Sequence, residues 1–397
     1  LRLLALATVL GVTLSGCQSL SSLDSPAIPA ESSYSLNSQT ALTKNARNLS
    51  GDPFAMAETE IVIEQEDTEI WPRIRQGYQL VALGRDNPRV QDELNRFSQR
   101  TTSLEIIAGR SNPYLHHIVE QLEKHNMPLE LALLPIIESG FDPLALSSQS
   151  ASGLWQFMPA TGRSFNLKQT HWYDGRRDVI QSTNAAIQYL TYLNKMFDGD
   201  WLLSLAAYNA GEGTVMRAIR NNRAKGLPTD YWNLKLPPQT LTYIPKLLAV
   251  AQIFAEPEQH GLKLPPIANE PFFTKVSLKH ELDLHTVASL ADVSPEKLIR
   301  LNPAFNQKIT LGGPGYLLVP TQHAEDIHQG LSQLKPSQLF QWPTYKVQAN
   351  DNLSTIARRH GTNLAMLREL NQLPNDRLRI GQVLKVPPQS LMASHAK

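Results

Sequence analysis

The stretch from Leu129 to Ile137 is apolar at every position except Glu130, and it ends on a second carboxylate, Glu138. Read as a helix, it is apolar almost all round, and a helix without a polar face belongs in the middle of a domain. Other helices must then wrap it, and helical periodicity is present on both sides. Ahead of it, Asn112-Pro113 reads as an N-cap with proline at the first helical position, followed by Leu115, Ile118, Val119 and Leu122 on one face. Behind it comes the series Val179, Ala186, Leu190, Leu193 and Phe197. Asp200 then caps a helix from Trp201 to Ala210 stopped by Gly211, and Tyr243, Leu247, Val250 and Phe254 mark one more. Residues 111–256 are therefore expected to form an all-α domain. Val90, Leu94, Phe97 and Leu104 suggest a packing helix in a helical lead-in, 71–110.

Pro257, Pro265, Pro266 and Pro271 end this pattern and mark a linker over 257–270. Past it the chain repeats itself. Leu284, Val287, Ala288, Leu298, Leu301 and Asn302 recur as Leu353, Ile356, Ala357, Leu367, Leu370 and Asn371, an offset of 69 each time. Each copy opens with a short strand (Phe273 to Val276; Tyr345 to Gln348) and closes with another ending in Val-Pro (Val319-Pro320; Val386-Pro387). Ser294-Pro295 and Thr362-Asn363 are the expected caps of the second helix in each copy. The expected fold class is mainly α: a helical domain followed by two small β-α-α-β modules, 271–320 and 345–387. A linker over 321–344 would separate them, and 388–397 would be a tail.

At the other end, Leu3 to Leu14 form an apolar run that is too short to span a bilayer and has the character of a secretory signal. It ends in Leu14-Ser15-Gly16-Cys17, which resembles the bacterial lipobox. Residues 1–17 are thus expected to be a lipoprotein signal peptide with Cys17 as the lipidation site, so that a lipid anchor holds the chain to a membrane without crossing it. Gln18, where inner-membrane retention would want Asp, points by the same resemblance to an outer-membrane lipoprotein facing the periplasm. Residues 18–70 begin with a Ser-, Asn- and Ala-rich segment that cannot bury enough surface to fold, and read as a tether. The single cysteine leaves no disulfide framework and no Cys-based zinc site. With 37 Lys and Arg against 36 Asp and Glu, the chain lacks the charge for gripping nucleic acid, whereas a glycan is compatible.

Glu138 is the candidate for chemistry. Apolar surroundings disfavour a carboxylate and raise its pKa, and a place at a helix C-terminus acts the same way. Such an acid can protonate the oxygen of a breaking glycosidic bond. An ordinary glycosidase needs two carboxyl groups, and the nearest partner in sequence, Asp142 before Pro143, reads as a turn former. The pair His116-His117 lies at i, i+1 on a helix, so its rings diverge and make no metal site. Trp155, Tyr208, Tyr243 and Trp201 could stack on sugar rings, with Trp201 the more natural core residue.

The residues that follow narrow the reading. Glu138-Ser139-Gly140-Phe141-Asp142-Pro143 leads through Ser147 to Ala151-Ser152-Gly153-Leu154-Trp155-Gln156-Phe157-Met158-Pro159, with Ala207-Tyr208-Asn209-Ala210-Gly211 downstream. In order and spacing these resemble the motifs of the lytic transglycosylases of peptidoglycan, whose fold is the lysozyme-like α domain, and the resemblance covers roughly Asn112 to Glu256. It implies Glu138 as the single acid and base, Ser147 beside it, and Gln156 as a cleft residue that contacts sugar. Tyr208 and Asn209 would border the cleft and position an N-acetyl group, and Tyr243 would be the tyrosine whose hydroxyl bonds the glutamate. Where many relatives have Glu-Thr, this chain has Gln239-Thr240.

The implied reaction cuts the bond between N-acetylmuramic acid and N-acetylglucosamine without water, leaving a 1,6-anhydro end, and calls for neither metal nor cofactor. Two other uses of the same residues stay open here: hydrolysis by a muramidase of the goose-lysozyme kind, and a non-catalytic tether to the wall. The two repeats resemble LysM modules, which bind N-acetylglucosamine-containing glycans. In the second, Asn350, Asp351, Asn352 and Leu353, with Asn371, stand at the implied glycan-binding positions. The first, with Glu281-Leu282-Asp283-Leu284 there, departs further and suits a spacer.

Overall fold

Pro135 divides the central apolar run. A proline has no N–H to give to the carbonyl four residues back, so an α-helix that runs through it loses a hydrogen bond, and one that starts beside it loses none. In the computed structural model, which describes residues 68–335 and 339–388, a 3₁₀ segment Leu129–Leu133 precedes a short α-helix Leu134–Glu138 that carries Pro135 in its first turn. The apolar pattern predicts one continuous helix, and to that extent it is corrected; the burial it predicts is found, with Leu131, Ala132, Leu133 and Leu134 all at 0 % exposure. The expected signal peptide 1–17 with Cys17, the tether as far as 67, and the tail from 389 lie outside the described residues.

The helices of the first part are α1 (Ile70–Gln76), α2 (Pro88–Ser98), α3 (Thr101–Ser111), α4 (Leu115–Lys124), α5 (Leu134–Glu138), α6 (Pro159–Ser164), α7 (Val179–Met196), α8 (Trp201–Ala210), α9 (Glu212–Arg223) and α10 (Pro238–Ala255). They share one apolar core, which draws on Ile70, Trp71, Ile74, Val90 and Leu104 as much as on Ile118 and Val119 of α4. The segment 71–110 is thus no mere lead-in, because α2 packs along α10 and closes the core. Asn112 does not cap α4 as expected. It ends α3, and α4 begins two residues after Pro113 with Tyr114 before it. Asp178 and Asp200 cap α7 and α8 by accepting from backbone N–H groups of the first turn.

Glu130, wholly buried, explains how the chain between α1 and α2 is held. Its Oε1 accepts from the backbone N–H groups of Gln79, Leu80 and Val81 at 2.7, 2.5 and 3.1 Å. The proline-rich 257–270 is likewise no free linker: Leu262 and Ile267 are buried in the core, the Ile70 N–H donates to the Ile267 carbonyl at 3.0 Å, and Trp71 Nε1 donates to the Pro265 carbonyl at 2.8 Å. A proline brings no backbone N–H, yet its carbonyl remains a good acceptor.

Beyond it lie the two modules. In the first, β1 (Phe273–Ser277) pairs antiparallel with β2 (Tyr316–Pro320), Phe273 opposite Pro320, around α11 (Leu284–Ser289) and α12 (Pro295–Leu301). A further helix, α13 (Ala324–Gln333), buries Ile327 against this module's core, so the expected linker 321–344 starts as part of the module. In the second, β3 (Thr344–Lys346) pairs with β4 (Val383–Lys385) around α14 (Leu353–Arg359) and α15 (Leu364–Leu370). Ser294 and Asn363 cap α12 and α15. The repeated asparagines brace each module: Asn302 Nδ2 donates to the Leu298 and Leu318 carbonyls while its Oδ1 accepts from Leu318 N–H, and Asn371 does the same with Leu367 and Lys385.

The first module is fastened to the helical domain. Asp174 N–H donates to the Ala304 carbonyl at 2.8 Å, Asn306 Nδ2 to the Thr170 carbonyl at 3.2 Å, and Tyr114 OH to the Arg300 carbonyl at 3.0 Å. Among the described residues, no helix is long and apolar enough to cross a membrane.

Candidate active site

Glu138 is the last residue of α5, where the chain leaves the buried centre of the domain and turns through Ser139, Gly140 and Phe141. Its carboxyl is pushed up to about 7 by burial, an effect partly offset by one hydrogen bond. That bond comes from Tyr243, in the second turn of α10, whose hydroxyl donates to Oε1 at 2.5 Å. Burial and the nearby Glu138 hold the Tyr243 hydroxyl well above its ordinary range, so it stays protonated and can donate to the carboxylate. Tyr243 leaves the other oxygen, Oε2, without a bond from its hydroxyl.

The start of α10 is fixed from two sides. Tyr231 OH donates to the Thr240 and Leu241 carbonyls at 3.0 and 3.1 Å, groups that the first turn of α10 offers. Thr240 Oγ1 in turn donates to Asn209 Oδ1 at 2.9 Å, which ties the end of α8 to the beginning of α10. Beside Asn209, Tyr208 feels the charge of Glu138, and its hydroxyl donates to the Trp155 carbonyl at 2.8 Å.

Trp155 belongs to the loop that closes this side. Its ring is fully buried and its Nε1 donates to Thr183 Oγ1 at 3.0 Å, so the expectation that it could stack on sugar is corrected. The loop needs Gly153, whose φ is +82° and where a Cβ would come within 2.1 Å of the Arg176 carbonyl oxygen. Arg176, itself buried, donates to the Ser150 and Phe157 carbonyls at 2.6 and 3.2 Å while paired with Asp174 at 2.7 Å. Sequence reasoning passed over Asp174 and Arg176; a charged pair two residues apart inside an apolar context was the available signal.

Gln156, Met158, Tyr189, Tyr208, Asn209 and Gly211 line a cavity of about 260 Å³. Gln156, at φ +48°, donates from Nε2 to the Gly153 carbonyl at 2.9 Å. Tyr189 and Met158 are additions that the sequence pattern does not single out. Tyr189 follows the apolar periodicity of α7 and so looks like core, yet its ring lies 5.4 Å from that of Tyr208 and its hydroxyl donates to Glu212 at 3.3 Å. Ser147 is placed in the loop after Glu138, where its Oγ accepts from the backbone N–H groups of Gln149 and Ala151 at 3.3 and 3.0 Å. Asp142 is the turn former expected, accepting from Leu144 N–H at 3.1 Å. His117, pushed down to about 4 by burial, packs its ring 5.5 Å from that of Phe273.

In the second module, the expected glycan-binding residues take different places. Leu353 is a core residue at 1 % exposure, and both polar atoms of Asn371 are used in the brace to β4. Asp351 accepts from Tyr345 OH and Gln348 N–H at 2.7 and 2.8 Å, and Asn352 forms a capping box with Thr355 at the start of α14. Asn350 faces solvent at φ +68°. Ile380 and Val383, 76 % and 62 % exposed, flank the opposite loop; nothing in their pattern sets them apart from core positions of a short strand.

Comparison with known proteins agrees with this division. The family profile described as the transglycosylase SLT domain matches residues 117–229, the LysM-like domain of lytic transglycosylase MltD matches 272–336, and the LysM domain matches 345–387. The chain is 39% identical over 332 residues to membrane-bound lytic murein transglycosylase D of Escherichia coli, an alignment covering 81% of this chain and 73% of that one. It is 44% identical over 164 residues to a protein of Alteromonas described for tributyltin chloride resistance, covering 41% and 77% of the two chains. A solved structure of lytic transglycosylase Slt from Pseudomonas aeruginosa, 22% identical, covers 38% of this chain and 25% of the other at a TM-score of 0.28, too small an overlap to bear on the fold.

Proposed function

This chain belongs to the family of membrane-bound lytic murein transglycosylase D, enzymes that are lyases of peptidoglycan, and on that premise we propose that Glu138 alone performs the proton transfers of the reaction. The observation that carries the proposal is the pairing of a carboxyl pushed up to about 7 with a tyrosine hydroxyl that stays protonated and donates to it. A group with this proton affinity is divided between acid and base near neutral pH, so it can serve in both halves of one turnover. As the acid, Glu138 gives its proton to the oxygen leaving between N-acetylmuramic acid and N-acetylglucosamine. The muramoyl N-acetyl group stabilises C1 while the bond breaks. As the base, the same carboxylate takes the proton of the muramoyl C6 hydroxyl, whose oxygen closes on C1 to give the 1,6-anhydro ring. Tyr243 stabilises the carboxylate that exists between the two transfers.

A second catalytic carboxylate is not required by this scheme, and Asp142, four residues past Glu138, is engaged in its turn. Gln156, Tyr208 and Asn209 would hold the sugars, Ser147 would adjoin the acid, and Asn350, Ile380 and Val383 would supply the second module's glycan contact. Two weak modules on one chain raise residence on a polymeric wall by effective concentration. As a member of this family the chain is a membrane-bound enzyme of the periplasm; anchoring at Cys17 in the outer membrane is part of the proposal.

The test is a mass spectrum of products released from purified sacculi. The lytic reaction leaves ends lighter by one water than hydrolysis does, and Glu138→Gln should release neither. Reducing ends from the wild type would transfer the chain to the hydrolytic reading.

A further inference from the structure

A basic recess lies beside the turn that follows Glu138. Arg110 stands at the end of α3, while Lys297 and Arg300, three apart on α12 and hence on one face, come from the first module. Together with Tyr114 and Phe272 they line a cavity of about 450 Å³. All three cations are exposed. Lys297 Nζ lies 5.5 Å above the Phe272 ring, and among the described residues the one acidic group that Arg300 approaches is Asp142, at 4.0 Å. The recess thus carries an excess of positive charge.

Its position ties it to the site. A Cβ built on Gly140, two residues past Glu138, would stand 3.9 Å from Arg110 Nη1, and Asp142, four past it, is the residue Arg300 approaches. The turn that carries the catalytic acid away from the core is therefore flanked by guanidinium groups from both the helical domain and the first module. Sugars of a glycan strand offer such groups only neutral hydroxyl and amide acceptors, whereas the peptide stems on the muramoyl residues carry carboxylates. Guanidinium groups bind carboxylates through paired hydrogen bonds, and a recess of this volume admits one or two amino-acid residues.

We propose that Arg110, Lys297 and Arg300 form a subsite for the carboxylates of a peptide stem, so that the first module serves recognition of peptide-bearing strands by completing this recess. The inference rests on the reading of the cleft around Glu138 as the glycan site, and it concerns binding rather than turnover.

The experiment measures fluorescence anisotropy of the full chain with labelled, uncross-linked glycan strands, either bearing their stems or stripped of them by an amidase, which leaves each muramoyl residue only its short lactyl carboxylate at the sugar ring. The Arg110→Ala, Lys297→Ala, Arg300→Ala triple variant should bind stem-bearing strands about tenfold more weakly and stripped strands as the wild type does. The Arg110→Lys, Arg300→Lys variant, which keeps the charge but loses the paired hydrogen bonds, should retain only part of the preference. In the wild type the preference should shrink as salt rises from about 0.05 to about 0.5 M. Equal weakening toward both strands, or no weakening toward either, overturns the subsite. Because anisotropy needs no cleavage, these outcomes are separate from failure of the lytic reaction, which the product masses report.

Discussion

The Tyr243 hydroxyl donates to Glu138 Oε1 at 2.5 Å, and the two residues stand 105 positions apart in the chain. One helix thereby sets the proton affinity of an acid at the end of another. The bond stabilises the carboxylate, so it holds the pKa below what burial alone would give. Tyr243→Phe should raise it further. The alkaline limb of kcat/KM against pH should move up by about 0.5 to 1 unit, with kcat lower by about tenfold near neutrality as the acid loses its orienting partner. A limb that moves toward acid would contradict the direction of the bond.

Glu138→Gln keeps the shape of the side chain and removes its titrating proton. Cleavage should fall by about a thousandfold or more, the range spanned by general acid and base contributions, while binding of glycan strands persists. Release of soluble products from labelled sacculi measures the first and a pelleting assay the second. Persistent cleavage in this variant would move the chemistry to another residue.

The same substitution has a signature in stability. The folded-state pKa of Glu138, about 7, lies above its ordinary value of 4.5, so the folded protein binds more protons than the unfolded chain between those two pH values. Its contribution is fully present below pH 4.5 and is lost as pH rises through 7. The Glu138→Gln variant has no such loss. Its advantage over the wild type should grow from near zero at about pH 4.5 to roughly 2 kcal/mol at about pH 8, a figure reduced for the partial exposure of the site. Urea melts at a series of pH values measure the difference, and a constant offset would show that the acid is not desolvated.

Glu130 is the contrasting acid, more buried than Glu138 yet without a part in the chemistry. Replacing it by Ala strands the N–H groups of Gln79, Leu80 and Val81, and the cost should be about 3 to 5 kcal/mol, with Gln costing less because its carbonyl still accepts. Activity per folded molecule should not change. Chemical denaturation and active-site titration read the two effects separately.

Asn302→Ala should destabilise the first module by about 2 to 3 kcal/mol, since it leaves Leu318 N–H and two carbonyls without their partner. Asn371→Ala should do the same in the second module, to a smaller extent because water reaches that brace. Hydrogen exchange at the Leu318 and Lys385 amides is the measurement. If Asn371→Ala left Lys385 protected and abolished glycan binding, the residue would belong to the sugar groove after all.

Much was legible because it is local. The caps at Asp200, Ser294 and Asn363, the stop at Gly211 and the paired strands of each module follow from side chains that act within a turn of their own position. Glu138 was legible for a related reason, since the apolar run before it already implies a desolvated carboxyl. The break at Pro135 was also written in the sequence, in the missing N–H, but an apolar run advertises its burial rather than its hydrogen bonds. Asn371 and Leu353 hold their module together, and a repeat preserves such residues as readily as residues that bind, so the pattern alone does not separate the two roles.

Chain order by itself determined where several helices start or stop, as at Asp200, Gly211 and Ser294, that the run ending in Glu138 is interior, and that the second half is built twice. Only the folded chain decided that 71–110 and 257–270 belong to the core, that Tyr243 reaches Glu138 while Trp155 turns inward, and that Arg110 and Arg300 line one recess. Those facts depend on contacts between residues tens to hundreds of positions apart. Spacing along a chain fixes periodicity within an element, whereas the angle at which two elements meet is fixed by the packing of every side chain between them.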